Sequence, residues 1–260
     1  MTYFFFKFHF SLSPFFPSPP ESEWYHNSMA KNSFSSPTLR RDETQLGWIY
    51  FVFQLLLLPS ILTSLNALLP APFSKAEVNF TYFLLNFMAM IWIFHRFLGA
   101  SFRVMTGHPI VFCQAIVLGL FSYWVTSAAT TWALHQLDPG FVNRNDASIA
   151  AMTRGSYYLM AVGTALLVPP VEECFYRGLM FRNLYKTSPI AAYLVSMAVF
   201  SLVHILGFIG SASPLSLLLS FVQYLPAGLW LAWTYTKADT IFAPIVMHGL
   251  INFYTLNQLR

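Results

Sequence analysis

Charged side chains are scarce in this sequence of 260 residues. Asp, Glu, Lys and Arg together make up 9% of the chain, whereas 56% of its residues are hydrophobic and 18% are aromatic. Soluble domains usually carry about 25% charged residues. Because so few side chains are suited to water, the composition excludes an ordinary water-soluble domain and indicates a protein surrounded by lipid.

Cysteine is also scarce, and the basic residues form no continuous surface. Cys113 and Cys174 both lie in apolar segments, so they form no disulfide framework and are expected to be buried thiols. The net charge is +4, but lysines and arginines lie between apolar stretches and not in a basic stripe interleaved with aromatics. This placement excludes a nucleic-acid partner and is typical of the loops of a protein embedded in a lipid bilayer.

Residues 1–46 differ from the rest of the chain. They are rich in Ser, Pro, Phe and charge without a lasting period, and we expect a disordered N-terminal tail. Four prolines, and no small-residue cleavage site, follow the apolar stretch 1–10, so it does not resemble a signal peptide. We interpret residues 1–28 as an over-extended reading frame with Met29 as the start, which intact-mass analysis would test.

The remainder, residues 47–260, predicts an all-α, polytopic membrane bundle of about seven helices. A helix needs about 20 apolar residues to cross about 30 Å of hydrocarbon. The segment 187–236 contains no charged residue and would be about 75 Å long as one helix, so we expect a break near 207–214, where glycines, serines and a proline cluster. The predicted spans are 48–69 with a kink at Pro59, 78–94, 109–134, 155–171 leading into a charged segment 172–186, 190–209, 215–236 and 240–259.

The charges of the predicted loops indicate the orientation of the bundle. With the N-terminus in the cytoplasm, nine basic residues lie inside and four lie outside, which favours this arrangement with the C-terminus outside. The inside set is Lys7, Lys31, Arg40, Arg41, Arg96, Arg103, Arg182, Lys186 and Lys237, and the outside set is Lys75, Arg144, Arg154 and Arg260. No internal repeat of the kind found in inverted-repeat transporters is present in the sequence.

Two acids and two histidines lie in or next to apolar segments, where burying an ionisable group costs free energy. Eight of the ten acids, Asp146 among them, lie in the tail or in predicted loops, but Glu172 and Glu173 directly follow an apolar run. Of the seven histidines, only His204 and His248 lie well inside predicted spans. Ionisable residues within a membrane are functional candidates by default.

The spacing of these residues predicts pairs on single helix faces. Glu173 and Arg177, Phe200 and His204, and His248 and Asn252 are each four residues apart, so three helices could direct a pair toward one cavity. Such a set offers a base for water and donors for an oxyanion. Counting along the spans places Glu172 and His248 in the cytoplasmic half and His204 about 22 Å along its helix, so a common cavity requires shifted boundaries or a tilted helix.

Three motifs on successive predicted helices carry a family resemblance. Residues 172–177 have the pattern EExxxR, residues 200–204 FxxxH and residues 248–252 HxxxN. In this order they resemble the CPBP family, which comprises type 2 CAAX prenyl endopeptidases and bacteriocin-processing or immunity proteins. The resemblance covers residues 155–257, and the first three spans match the family only in general character.

The resemblance implies a glutamate-dependent intramembrane endopeptidase without a cofactor. Carried over by motif, Glu172 and His204 activate the water. Glu173 and Arg177 organise the site, and His248 and Asn252 stabilise the oxyanion. The alternative is a zinc enzyme with Glu172, His204 and His248 as ligands, although the sequence HExxH is absent.

The implied substrate is a hydrophobic peptide or a membrane-anchored protein, which reaches the site from the lipid or the cytoplasmic face. The compact chain resembles a bacterial member of the family, which indicates the bacterial cell membrane and bacteriocin-type processing; a prenylated CAAX substrate is the expectation for eukaryotic members. A non-catalytic immunity or scaffold protein of the same fold and a transporter remain as alternatives. Glu173 and Arg177 could also be a purely structural pair, and adjacent carboxylates oppose Cys174 as a nucleophile.

Overall fold

The structure is a computed structural model that describes Phe34 and residues 38–259. The chain divides into two units, Met1–Ser35 and Ser36–Arg260, and every described residue except Phe34 belongs to the second. The predicted start at Met29 and most of the predicted tail lie outside the described residues.

Eight helices and no strand make up the regular structure of the described residues, which confirms the all-α fold class. They are α1 (Arg41–Leu56), α2 (Leu58–Ala67), α3 (Lys75–Gly107), α4 (Pro109–Leu137), α5 (Arg144–Tyr185), α6 (Pro189–Leu206), α7 (Pro214–Ala238) and α8 (Phe242–Gln258).

The lengths and composition of these helices are those of an integral membrane protein. Helices α3 to α7 are each long and apolar enough to cross a membrane, and α1 and α2, bent by 45° where they meet, form a sixth candidate span. The bend precedes Pro59, the predicted kink, which has no backbone N–H to continue the helical ladder. Helix α8 has 17 residues, or about 26 Å, slightly less than the hydrocarbon thickness. The described part of the chain thus approaches the seven expected crossings.

The first helix begins at Arg41, so the predicted tail does not extend to residue 46. The charged residues that indicated a tail instead stabilise the helix start. The Glu43 carboxylate accepts the backbone N–H of Arg40 at 2.9 Å, which closes the first turn. Its other oxygen accepts the N–H of Phe97 at 2.9 Å, beside a kink in α3 where Phe94 has φ −105° and ψ 16°.

Helix α5 differs most from its predicted form. The sequence predicts a span over 155–171 followed by a charged segment, but the helix runs from Arg144 to Tyr185, 42 residues in all. It bends at Ser156, which has φ −154° and ψ 55°, and contains two π-helical stretches, Gly163–Leu167 and Cys174–Phe181. Glu172 therefore lies within a long helix and not at its end.

Glycines allow neighbouring helices to approach closely. A Cβ atom at Gly228 of α7 would lie 2.8 Å from the Cα atom of Met197 on α6. A Cβ atom at Gly163 of α5 would lie 2.6 Å from the ring of Phe83 on α3. Small residues at such contacts are typical of membrane helix pairs, whose association depends on close packing.

We expect Gly228→Leu to destabilise the bundle by about 1–3 kcal/mol or more, because the backbone of α6 would have to move away. Thermal unfolding in detergent micelles measures the effect. Gly99→Leu is the matched control, since a Cβ atom there meets nothing within 4 Å. Equal melting temperatures for the two variants would contradict this packing.

Candidate active site

An ion pair between Arg182 and Asp239 connects α5, which carries Glu172, to the turn before α8, which carries His248. The paired residues, 3.5 Å apart, join the last turns of α5 to the turn between α7 and α8. Glu172 lies ten residues before Arg182, and His248 lies nine residues after Asp239. Glu172 Oε2 and His248 Nε2 are 3.8 Å apart, so the two side chains lie at one level.

His204 reaches the same level because α5 is longer than predicted. Helices α5 and α6 are joined by a short turn between Tyr185 and Pro189. Glu172 lies 13 residues before that turn and His204 lies 15 residues after its end, and both side chains line the same cavity. The mismatch in depth came from ending the fourth span at residue 171, and the observed helix removes it.

A buried carboxylate connects three helices behind the site. Glu173 and Arg177 are both fully buried, and Glu173 Oε1 accepts Arg177 Nη1 at 3.0 Å and His248 Nδ1 at 2.8 Å. Arg177 Nη2 also donates to the carbonyl oxygen of Gly228 at 3.1 Å. Buried charges are tolerated when they are paired, and this network pairs Glu173 with Arg177 and links α5, α7 and α8, although Glu173 Oε2 and Arg177 Nε have no hydrogen-bond partner among the described residues.

His248 lies between two carboxylates. Because Nδ1 binds Glu173, Nε2 is directed to Glu172, whose Oε2 atom is 3.8 Å away. The Glu172 side chain is 22% exposed, and its Oε2 atom has no hydrogen-bond partner among the described residues. Glu173 Oε2 also has no hydrogen-bond partner among these residues, but Glu173 is fully buried and binds two side chains, whereas Glu172 reaches the cavity and is available for chemistry.

An irregular turn of α5 holds Asn252. The N–H of Val168 donates to the carbonyl of Gly163 in a π-helical turn and so does not bind Thr164. The next candidate donor to Thr164 is Pro169, which has no N–H. The carbonyl of Thr164 instead accepts Asn252 Nδ2 at 2.8 Å, so the deviation in α5 fixes the amide on α8.

The FxxxH pair packs as its spacing predicts. His204 Nδ1 is 2.7 Å from the carbonyl oxygen of Phe200, and the two rings have centroids 4.5 Å apart. The Phe200 ring also lies 5.7 Å from the ring of His248 and 4.7 Å from the guanidinium carbon of Arg177. Phe200 thus links the His204 side of the site to the buried network.

A cavity of about 1500 Å³ opens in front of these residues. Glu172, His204, His248 and Asn252 line it, whereas Glu173 and Arg177 lie behind its wall. Each of the eight helices contributes to the lining, which is mainly apolar. Tyr176 and Tyr224 also line this cavity.

The six predicted site residues fall into two groups. Glu172, Glu173, Arg177 and His248 form one contiguous cluster, while His204 and Asn252 reach the cavity from other walls. Glu172 and His204 share the cavity, but the described residues show no hydrogen bond or ion pair between them. Within residues 38–259, no group of three or more His, Cys, Asp or Glu is arranged to hold a metal ion.

Sequence reasoning missed Asn145 and Asp146, which it placed in a loop. Both line the cavity from the first turn of α5. Asn143 precedes that turn and caps it, accepting the N–H groups of Asn145 and Asp146. An Asn before a helix with Asp three residues later is a start signal, and it could have moved the helix boundary back to 144.

These features define a helical membrane protein with a carboxylate and imidazole centre that faces an internal cavity. Residues 154–254 match the family model described as Type II CAAX prenyl endopeptidase Rce1-like. The resemblance drawn from the three motifs is thereby confirmed over these residues, and at the family level it supports a protease that acts on a peptide or protein in a membrane. No curated protein and no solved structure matches the chain significantly.

We expect the two adjacent acids to differ in their effect on stability. Glu173→Gln should destabilise the protein by about 3–5 kcal/mol, because it leaves Arg177 buried without its counter-charge. Glu172→Gln should change stability by less than about 1 kcal/mol, since its one close ionic contact is long and its side chain is partly exposed. Thermal unfolding in detergent measures both, and a larger loss for Glu172→Gln would contradict the assignment.

Proposed function

We propose that this protein is an intramembrane endopeptidase of the CAAX type, in which Glu172 activates the attacking water. The observation that carries this proposal is the environment of Glu172. One of its oxygens has no hydrogen-bond partner among the described residues, and its side chain lines a large cavity beside His248. The neighbouring acid, by contrast, is fully buried, lies outside the cavity lining and binds Arg177 and His248 through Oε1.

In the proposed reaction, a water molecule lies between Glu172 and His204. Glu172 takes a proton from the water, and the water oxygen bonds to the scissile carbonyl carbon. His204, whose Nδ1 is occupied by Phe200, has Nε2 available to orient that water. The proton held by Glu172 then passes to the leaving nitrogen as the C–N bond breaks, which yields a carboxylic acid and an amine.

His248 and Asn252 are placed to stabilise the oxyanion. Glu173 accepts from His248 Nδ1, which leaves Nε2 facing Glu172, where a protonated Nε2 can donate to developing negative charge. Asn252 uses one amide hydrogen on the Thr164 carbonyl and keeps the second. Both donors are fixed before substrate arrives, which is the condition for effective electrostatic catalysis.

The size and composition of the cavity fit a lipid-modified peptide. Pockets for small molecules usually measure about 300–1,000 Å³, and this cavity is larger, at about 1500 Å³, with mainly apolar walls. A prenyl chain attached to a CAAX cysteine needs such walls, and the peptide beside it needs polar groups near Glu172. The family match favours this substrate over the bacteriocin-type peptide, which remains the alternative.

We expect Glu172→Gln to lower the cleavage rate by about 10²–10⁴-fold, because the amide cannot accept the proton of the water. The measurement is cleavage of an internally quenched, farnesylated CAAX peptide by the purified protein in detergent micelles. Glu77→Gln is the matched control: Glu77 is exposed at the start of α3, and a glutamine preserves its capping role there.

Retained cleavage in Glu172→Gln, or no cleavage of any peptide by a folded wild-type protein, would contradict the proposal. The second result would instead favour a non-catalytic scaffold or immunity protein. Proteomics of membrane fractions from cells with the wild type or Glu172→Gln extends the test to native substrates, since uncleaved precursors accumulate only in the variant.

We further propose that the hydrolysis needs no metal ion. Its support is that Glu172, His204 and His248 line one cavity without forming a three-ligand group. We expect activity to persist after prolonged treatment with a chelator followed by gel filtration. Strong inhibition that added zinc reverses would overturn this and favour the zinc alternative with those three ligands.

A further inference from the structure

Asp146 is a half-buried acid that the proposed reaction does not use. It lies in the first turn of α5 and lines the cavity, although nothing in the three motifs points to it. A carboxylate at this position in a membrane bundle is costly unless it has partners. Its partner is Tyr224 of α7, whose hydroxyl donates to Asp146 Oδ1 at 3.2 Å.

Tyr224 is held from the same side by a second residue. The Asn145 side-chain amide donates to the Tyr224 hydroxyl at 2.9 Å, so that hydroxyl accepts one bond and donates the other. Gln223, which precedes Tyr224 in the chain, accepts a hydrogen bond at Oε1 from the Asn143 side-chain amide at 2.8 Å. Three side-chain hydrogen bonds therefore fix this part of α7 to the start of α5.

The ring of Tyr224 contacts His204. The two ring centroids are 4.3 Å apart, a closer approach than that of the Phe200 ring on the same helix as His204. With Nδ1 bound to the Phe200 carbonyl and two aromatic rings against it, the imidazole has one orientation, and only Nε2 remains for the cavity. Rotation of His204 would require Tyr224 to move, and Asp146 opposes that movement.

We propose that Asp146 and Tyr224 are positioning residues that act through His204, with the hydrogen bond between them setting the orientation of its imidazole. This inference rests on the proposed hydrolytic function, because His204 has to align a water with the scissile carbonyl. Misplacing a catalytic group by about 1 Å can cost about 10²-fold in rate. A hydrogen bond two side chains away from the water can therefore control the rate of hydrolysis.

The test is a double-mutant cycle on that hydrogen bond, with the farnesylated peptide as substrate. We expect Tyr224→Phe and Asp146→Ala each to lower kcat by about tenfold with little change in KM, because the substrate still binds but His204 is less well aligned. Since both variants break one bond, the double variant should lose no more than the worse single one. Asp146→Asn keeps an acceptor oxygen and should stay closer to the wild type than Asp146→Ala.

Tyr193→Phe is the matched control. It removes another tyrosine hydroxyl that joins α6 to α7, 3.0 Å from Thr236 Oγ1, but Tyr193 does not line the cavity. We expect it to keep the wild-type kcat. If Tyr224→Phe and Asp146→Ala match this control, or if their losses multiply in the double variant, the positioning role is overturned.

A readout without substrate separates this inference from the proposed function. Diethylpyrocarbonate modifies accessible imidazoles, and mass spectrometry reports the extent at each histidine. We expect Tyr224→Ala to accelerate modification of His204 severalfold while His248, buried against Glu173, keeps its wild-type rate. An unchanged rate at His204 would overturn the positioning role, whereas absence of peptide cleavage by the wild type would count against the hydrolytic function alone.

Discussion

The arrangement of the site depends on one carboxylate oxygen that the side chains of Arg177 and His248 share. Glu173 Oε1 binds both the guanidinium of Arg177 and the imidazole of His248, with no solvent reaching Glu173 or Arg177. An unpaired charge at that depth would be expelled or neutralised, so the three side chains have to assemble together. Their assembly aligns α5 with α8, and the contact from Arg177 to Gly228 adds α7. This network therefore sets the positions of Glu172 and His248 at the cavity.

The backbone of α5 contributes as much to the site as its side chains do. A regular helix through residues 163–169 would engage the Thr164 carbonyl internally and leave Asn252 without an acceptor. The π-helical turn and the proline that follows it release that carbonyl. Departures from regular hydrogen bonding of this kind recur at functional sites because they direct polar backbone groups outward without exposing them to lipid.

Much of this arrangement could be predicted from the sequence, because residue spacing along a helix determines which side chains share a face. The pairs Glu173–Arg177 and Phe200–His204 behave as their four-residue spacing requires. Helix ends were harder to predict, since charged residues at 41–46 and 172–186 indicated loops, yet internal ion pairs and caps keep them helical. Asp146 could not be assigned to the site because its partner, Tyr224, is 78 residues away and no local pattern links them.

The walls of the cavity come from all eight helices, although the family match covers only residues 154–254. Gln54 on α1, Tyr82 and Asn86 on α3 and Tyr123 on α4 all face the same space as Glu172. Substitutions before residue 154 can therefore reshape what the chamber admits while the reactive groups keep their places. Related proteins that keep the residues after 154 and vary those before it would accept new substrates with the same reactive groups.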